Sequence, residues 1–567
     1  MAFLNDATTG HDPLSVQSPV VHGPEPEFLI EASAAYPKLE RLALDARKRM
    51  WFAFRIFDPE TPLYLPESRA LGLETWADLI AYKLDRGVGF RLLLTDFDPV
   101  VGDTLHEMTW RGLVALSDRK AASGKSWDMQ ICPALHEGRA GRHIRMILAP
   151  AVYARIQAKR NALNAMDPEE RADTFEFTRG YHRYFRLSSS TGKVQWRPKI
   201  VLPRIHPVTH HHKLAVFDDE TAILGGLDVN ERRYDDPAHN RRSIDTWHDV
   251  SLGISGPAVA HVAQYIAGIW NMDYADARQR MIRAKVQCPR LFGNIDPDLD
   301  PLDPPPETDH ADGDVPMQVV RTVSRNKKKG RIGFRMRPST VNDGLESAHL
   351  ELVRDAHTLL YIETQFFRHR PLAEALAERA GQCPDLRLIM LLPAAPEEIA
   401  FDDRNGLDSR YGERLQADCI DIVREAFGER ALFVCPAKRE SVANAGRAAV
   451  NGAAIIYVHA KVAVADDQWA IIGSANMNGR SLKWDSELGL LWKGPSAGRL
   501  RRRLATDWID AEAAETPMDE TFDLWRKLAW ANAGKPVERR RGFLLPYLPD
   551  EADVMGVNIP LLPPETV

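Results

Sequence analysis

Short apolar runs alternate with amphipathic stretches in two separate parts of this chain, and in the same order. Early on, Tyr36 to Lys48 has helical character and leads into Trp51-Phe52-Ala53-Phe54-Arg55-Ile56-Phe57. That run is short and rich in aromatic residues, as a buried strand is. A second helical stretch near Thr75 to Leu84 precedes Phe90-Arg91-Leu92-Leu93-Leu94. Beyond residue 340 the pattern returns: Leu345 to Arg354 helical, Leu359 to Ile362 strand-like, Leu372 to Arg379 helical, then Leu386 to Leu392 strand-like. Such alternation predicts parallel strands joined by helices. The expected fold class is therefore α/β: two related α-β-α lobes with mixed, largely parallel sheets, and the active site at their interface.

Breaks in this pattern suggest the divisions. Residues 1–30 are polar and proline-containing and read as a flexible N-terminal arm. The first lobe is expected over 31–288, with extra material around 99–200 that would form a lid, a specificity loop or an accessory layer. Residues 289–316 are acidic and proline-rich, from Asn294-Ile295-Asp296-Pro297 through Pro304-Pro305-Pro306 to Asp314. Successive prolines deny helical hydrogen bonding there, so an exposed linker is expected. The second lobe follows over 317–535, and 536–567 is a C-terminal tail. Within the second lobe Phe522, Trp525, Leu528 and Ala529 recur at helical spacing and should pack against the body. Leu544-Leu545-Pro546-Tyr547 should clip onto a lobe.

Composition adds bounds. With 44% hydrophobic and 27% charged residues, the 567-residue chain is an ordinary globular one. A formal charge of -6 argues against a generally basic nucleic-acid binder. Five scattered cysteines, with no CxxC pair, indicate neither a disulfide framework nor a cysteine zinc site. No apolar run is long enough to span a bilayer and no cleaved signal peptide is visible. A cytoplasmic or peripheral membrane location is expected, with export by a signal-peptide-independent system left open. The oligomeric state is not legible.

The chemistry lies in a duplicated register. His211, Lys213, Asp218, Gly225 and Asn230 repeat 248 residues later as His459, Lys461, Asp466, Gly473 and Asn478. If Thr209 to Phe217 and Tyr457 to Val464 are strands, each histidine shares a face with its lysine, while His210 and His212 occupy the other. Two imidazoles and two ammonium groups around one phosphorus would supply a nucleophile, an acid and fixed positive charge. Asn476 and Ser474 would add hydrogen bonds where the first motif has Asp228 and Gly226. Asp218 and Asp466 lie at the far strand ends and suit turn or salt-bridge roles. Gly225, Gly226 and Gly473 allow close backbone passage. Asn230 and Asn478 are donors or local caps. Asp249 and Glu487, in matching later segments, are candidates to accept a hydrogen bond from Nδ1 of His211 and His459, or else buried acids that hold a turn.

On these motifs, HxKxxxxD twice over, the chain resembles the phospholipase D superfamily from about residue 35 to 535. Tyr361-Ile362-Glu363-Thr364-Gln365-Phe366-Phe367, Thr246-Trp247-His248-Asp249-Val250 and Thr521-Phe522-Asp523-Leu524-Trp525 resemble the eukaryotic-type branch and its bacterial relatives, with Thr364 departing from the usual YIENQFF. The resemblance implies phosphodiester exchange through a phosphohistidine, with no cofactor and no metal. His211 would be the nucleophile and His459 the acid. The expected substrate is a glycerophospholipid headgroup phosphodiester, hydrolysed to phosphatidic acid with transphosphatidylation possible in principle, and the expected partner is a membrane surface touched peripherally. A cardiolipin synthase-like phosphatidyltransferase is the nearest rival. A nuclease is weaker, although Arg325-Asn326-Lys327-Lys328-Lys329-Gly330-Arg331 would suit an anionic surface, and a noncatalytic membrane binder is weaker still.

Overall fold

A computed structural model describes residues 3–4, 13–306, 313–326, 338–401, 407–442, 446–548, 556–557 and 563–566. Residues 327–331 of the basic cluster lie outside the described residues. Two large sheets carry the same internal strand order. The first runs Glu27–Ile30, Val250–Ser255, Thr221–Gly225, Lys213–Phe217, Arg49–Phe54, Gly89–Asp96, Met129–Leu135. The core of the second runs Val315–Asn326, Glu487–Lys493, Trp469–Gly473, Lys461–Ala465, Leu359–Thr364, Arg387–Leu391, Ala431–Ser441.

Among the described strands, parallel pairing occurs at two neighbouring contacts in each sheet, Arg49–Phe54 with Gly89–Asp96 and Gly89–Asp96 with Met129–Leu135, and their counterparts around Arg387–Leu391. The remaining pairings are antiparallel, so the sheets are mixed, not largely parallel. The reason is connection length. Helical crossovers such as Trp76–Leu84 and Arg370–Gln382 return the chain in the same direction, whereas tight hairpins at Asp218–Asp219 and Asp466–Asp467 reverse it. Trp76–Leu84 begins with a capping box in which Thr75 and Asp78 satisfy each other's backbone donors.

Both flanks depart from a loose reading. Within the proposed arm, Val20–Gly23 pairs with Val315–Asn326 and Glu27–Ile30 with Val250–Ser255, so this short stretch edges both sheets. Its apolar content is small, but backbone pairing does not need long apolar runs. In the acidic proline-rich stretch, Ile295, Leu299 and Leu302 are buried, and Trp270 Nε1 donates to the Asp300 carbonyl at 2.8 Å. Three spaced apolar residues suffice to lay it against the long helix Ala258–Gln287. The tail strand Leu544–Pro546 pairs with Ala431–Ser441, and Phe522, Trp525 and Ala529 of the helix Met518–Ala533 are buried.

The material between the strands at Met129–Leu135 and Lys213–Phe217 forms its own layer. Helices Arg142–Ala165 and Pro168–Phe177 and the hairpin Phe185–Leu187/Val194–Trp196 enclose Ile156, Leu163, Tyr181 and Phe185. Trp484, from the second half, completes that small core. The chain then runs from Ile205, whose carbonyl accepts from Ala140, to His211. No helix among the described residues is long and apolar enough to cross a membrane.

Candidate active site

His211 lies before its strand, not within it, because the strand begins at Lys213. Its neighbour on the sheet, Arg49–Phe54, ends opposite Lys213, so residues 210–212 find their backbone partners elsewhere. His211 N donates to the Ser486 carbonyl at 2.9 Å, in the second half. His459 is likewise outside its strand, which begins at Lys461, and its N donates to the His248 carbonyl of the first half at 2.8 Å. Each histidine is thus anchored one residue from the other half's acid.

Side chains repeat this exchange. Sequence order would pair Asp249 with His211 and Glu487 with His459, but the structure crosses them. His211 Nδ1 lies 2.9 Å from Glu487 Oε1, and His459 Nδ1 lies 2.6 Å from Asp249 Oδ2. An Nδ1 hydrogen bond to a carboxylate leaves Nε2 for other chemistry. Both histidines line one cavity of about 230 Å³, together with Asn476 and Asn478. The lysines are buried beside them, each ammonium held by the carbonyl of the histidine two residues earlier: Lys213 on His211 and Lys461 on His459.

Electrostatically the site favours neutral acids and bases until an anion arrives. Burial pushes Asp249 up to about 7 and Glu487 up to about 8. Burial, reinforced by the lysine two residues on, holds both His211 and His459 well below the usual imidazole range. Burial also brings Lys461 down to about 7, against the attraction of Asp249. A phosphodiester anion entering the cavity opposes each shift on the cations.

The other predicted positions divide clearly. Ser474 Oγ donates to Glu487 Oε2 at 2.5 Å, so it supports the acid that meets His211. Asn476 lines the cavity, and its buried Oδ1 has no hydrogen-bond partner among the described residues. Asp228, the matching position, instead accepts from Ile56 N at 2.8 Å and stands 3.8 Å from Lys213 Nζ. Asn230 and Asn478 cap short helices, accepting from Arg232 N and Ser481 N; Asn478 also borders the cavity. Asp218 and Asp466 sit in positive-φ turns away from it. Asp218 accepts from the backbone of Arg47, Lys48 and Arg49, and Asp466 from that of His357, Thr358 and Leu359.

Among the glycines, Gly226 matters most, because an added Cβ would overlap the Asp249 carboxylate. At Gly225 it would crowd Ser251, and at Gly473 it would crowd Gly489 on the next strand. His210 and His212 stay off the cavity, buried against Ser486 and Asp273, and against Tyr265.

Sequence reasoning missed several lining residues: Arg55, Arg233, Gln365, Arg368, Arg480 and Asp485. Two of these had a legible signal, since Arg233 and Ser481 stand at +22 from their histidines and Arg480 at +21. It also missed a buried relay behind the site, in which His248 bridges Glu31 and Glu363. Burial opposes charge on His248, but the two carboxylates outweigh it and raise this imidazole well above its usual range.

Comparison with known proteins follows the same line. Residues 350–508 match the family described as cardiolipin synthase, PLD-like domain. Phospholipase D1 of Schizosaccharomyces pombe is 25% identical over 357 residues, covering 49% of this chain and 24% of that protein. Phospholipase D beta 1 of Arabidopsis thaliana is 24% identical over 482 residues (63% and 43%), and phospholipase D2 of Bos taurus 24% over 436 residues (57% and 44%). The chain therefore spans less than half the length of these curated relatives. A phosphatidylserine synthase structure from Haemophilus influenzae Rd KW20 superposes with a TM-score of 0.48 at 12% identity, covering 91% of this chain and 96% of that one. By these sequence matches, this chain is similar to proteins of the phospholipase D superfamily.

Proposed function

We propose that the protein is a phospholipase D that hydrolyses glycerophospholipid headgroup phosphodiesters to phosphatidic acid and a free alcohol. The observation that supports this best is the crossed pair of histidine–carboxylate contacts opening into one cavity. In this reading His211 Nε2 attacks phosphorus as the bond to the headgroup oxygen breaks, and His459 gives that oxygen a proton. His459 then takes a proton from water, whose oxygen displaces His211 and frees the phosphate product. Lys213, Lys461 and Asn476 stabilise the charge that gathers on the non-bridging oxygens. Asp249 and Glu487 fix the tautomers.

The second reading, transfer of the phosphatidyl group to a lipid alcohol, is favoured by the match of residues 350–508 to a cardiolipin synthase-like family. It uses the same intermediate and differs only in the acceptor. Incubation with phosphatidylglycerol, with products resolved by mass, separates the two. Phosphatidic acid that disappears with His211→Asn supports hydrolysis, cardiolipin supports transfer, and neither product from any phospholipid contradicts both.

Peripheral membrane contact is assigned in this proposal to the accessory layer. Residues 138–166 and 177–204 together hold thirteen Lys and Arg and not one Asp or Glu, in a chain of net charge -6. Met146 and Ile147, each 55% exposed, and Ile200, 96% exposed, lie among them. Basic side chains with bare apolar neighbours suit an anionic bilayer. Wild-type protein should sediment with phosphatidylglycerol vesicles, and Ile200→Asp with Met146→Asp should reduce this severalfold. Unchanged sedimentation would move the contact elsewhere.

A further inference from the structure

The cavity holds more fixed positive charge than one phosphodiester requires, with Arg55 and Arg233 from the first half and Arg368 and Arg480 from the second. Phe54 pairs with Lys213 and Thr364 with Lys461, so Arg55 and Gln365, the next residues, occupy equivalent positions. Arg233 and Ser481 are equivalent through their +22 spacing from His211 and His459. All four line the cavity. The first half thus presents two guanidinium groups where the second presents a neutral amide and a hydroxyl.

Those guanidinium groups are poorly satisfied by the protein. Arg233 is only 8% exposed, lies 3.4 Å from the Trp247 ring, and has Nη1 buried with no hydrogen-bond partner. Arg55 lies over Phe97 at 5.4 Å, with Nε buried and also unpartnered. Among the described residues neither side chain donates a hydrogen bond to any acceptor. Arg480 differs, since its Nε donates to Asp485 Oδ2 at 2.8 Å and its Nη2 to Thr209 Oγ1. A guanidinium group carries five donors and keeps its charge, so leaving a buried N–H of each without an acceptor is costly unless something else supplies one. Burial lowers the Arg55 pKa; Asp228 opposes this, while Arg480 and Arg233 add to it. In the proposed reaction the phosphodiester's single negative charge is met by Lys213, Lys461 and Asn476.

We infer that Arg55 and Arg233 form a subsite for a second oxyanion on the substrate, a phosphate or carboxylate carried by the group attached to the scissile phosphodiester. This rests on the phospholipase D reading for the reaction, but the subsite itself is a binding property. Headgroups bearing only a trimethylammonium cation leave both arginines without acceptors and should be poorer substrates.

Two matched lipid pairs separate the sources of the oxyanion. Phosphatidylglycerol phosphate differs from phosphatidylglycerol by a terminal phosphate, and phosphatidylserine from phosphatidylethanolamine by a carboxylate. In mixed micelles of fixed surface charge, the member with the added oxyanion should have kcat/KM at least about tenfold higher in one or both pairs, given the strength of charge-assisted hydrogen bonds. Arg233→Gln and Arg55→Gln should each collapse that ratio towards one, with Arg233→Lys retaining part of it. Inorganic pyrophosphate should raise the Tm of the wild-type protein more than equimolar inorganic phosphate does, and Arg55→Gln/Arg233→Gln should abolish the difference. If no phospholipid is turned over but this pyrophosphate effect holds, the lipid reading falls and the anion subsite stands. Ratios near one in both pairs for the wild type overturn the inference. So do equal losses on both members of each pair in the variants, which would assign the arginines to the reacting phosphate.

Discussion

The two halves of the cavity share a histidine-x-lysine frame, yet three matched supporting positions differ: Gly226 against Ser474, Asp228 against Asn476 and Asp249 against Glu487. Behind His211 stands Glu487, braced by Ser474 Oγ; behind His459 stands Asp249, pressed close to Gly226. The longer acid leaves room for a serine at the motif's +15 position, whereas the shorter one approaches so closely that only glycine fits. Further along, Asn476 faces the cavity while Asp228 turns to Lys213 and Ile56 N. A duplicated frame therefore supplies the two-sided geometry that in-line displacement needs. In the proposed mechanism the divergent neighbours give its two imidazoles different work, Glu487 preparing a nucleophile and Asp249 poising an acid.

Removing either imidazole should break the comparison most severely. His211→Asn and His459→Ala are each expected to lower kcat on a phospholipid by about 10⁴-fold or more. The pair should separate on a diester with a nitrophenol leaving group, which needs little protonation. There His459→Ala should show a burst of nitrophenol, read at 400 nm or so, and His211→Asn none. Equal bursts from both would erase the functional asymmetry.

The crossed acids come next, at about 10²–10³-fold each. Asp249→Asn should lose less on the nitrophenyl diester than on a phospholipid, because it impairs proton donation through His459. Glu487→Gln should lose equally on both. The in-half pairing would predict the opposite assignment, so this comparison tests the exchange of acids between halves directly.

Making the halves alike should then cost activity in one direction only. Gly226→Ser should lower kcat about 10²-fold by displacing Asp249, since small errors in the position of a catalytic group are expensive. Ser474→Gly removes a hydrogen bond without a clash and should cost about tenfold. Comparable losses would mean that the tight Gly226–Asp249 approach is not what sets the difference.

The smallest effect concerns stability. Burial works against the charge on Asp218, but the backbone N–H groups of Arg49, Arg47 and Lys48 hold its carboxyl below the usual range. A depressed carboxyl contributes stability above the unfolded value, about pH 4, and loses it as pH falls through the folded one. Asp218→Ala should therefore destabilise by about 1–2 kcal/mol at neutral pH, as loss of a backbone-capping carboxylate does. The gap should close as the pH falls towards 2 in urea titrations, and a gap independent of pH would contradict it.

Individual strands such as Leu359 to Ile362 and Phe90 to Leu94 were readable as short apolar runs, whereas their order in the sheets and the antiparallel pairing beside each motif were not. The duplicated register likewise revealed His211, Lys213, His459 and Lys461 as a set. Pairing across the halves was not readable. Asp249 and Glu487 sit at matched places in their own segments, and nothing in local sequence tells which histidine each will face once the sheets meet. The pairing depends on backbone bonds 275 residues apart in the chain, His211 N to Ser486 O. Arg55 was hidden for another reason: it stands inside an aromatic run that reads as core, and only the end of the strand turns it to the cavity. The edge strands at Val20–Gly23 and Glu27–Ile30 were missed because their pairing is carried by backbone, with little apolar pattern to announce it.

Trapping the covalent intermediate tests the central claim most directly. His459→Ala, quenched within its burst on a nitrophenyl phosphodiester and digested at alkaline pH, should yield one peptide carrying the phosphoryl group with its remaining ester, the one containing His211, by mass spectrometry. Phosphate on a residue other than His211, or a full burst with no histidine adduct at all, would contradict the account.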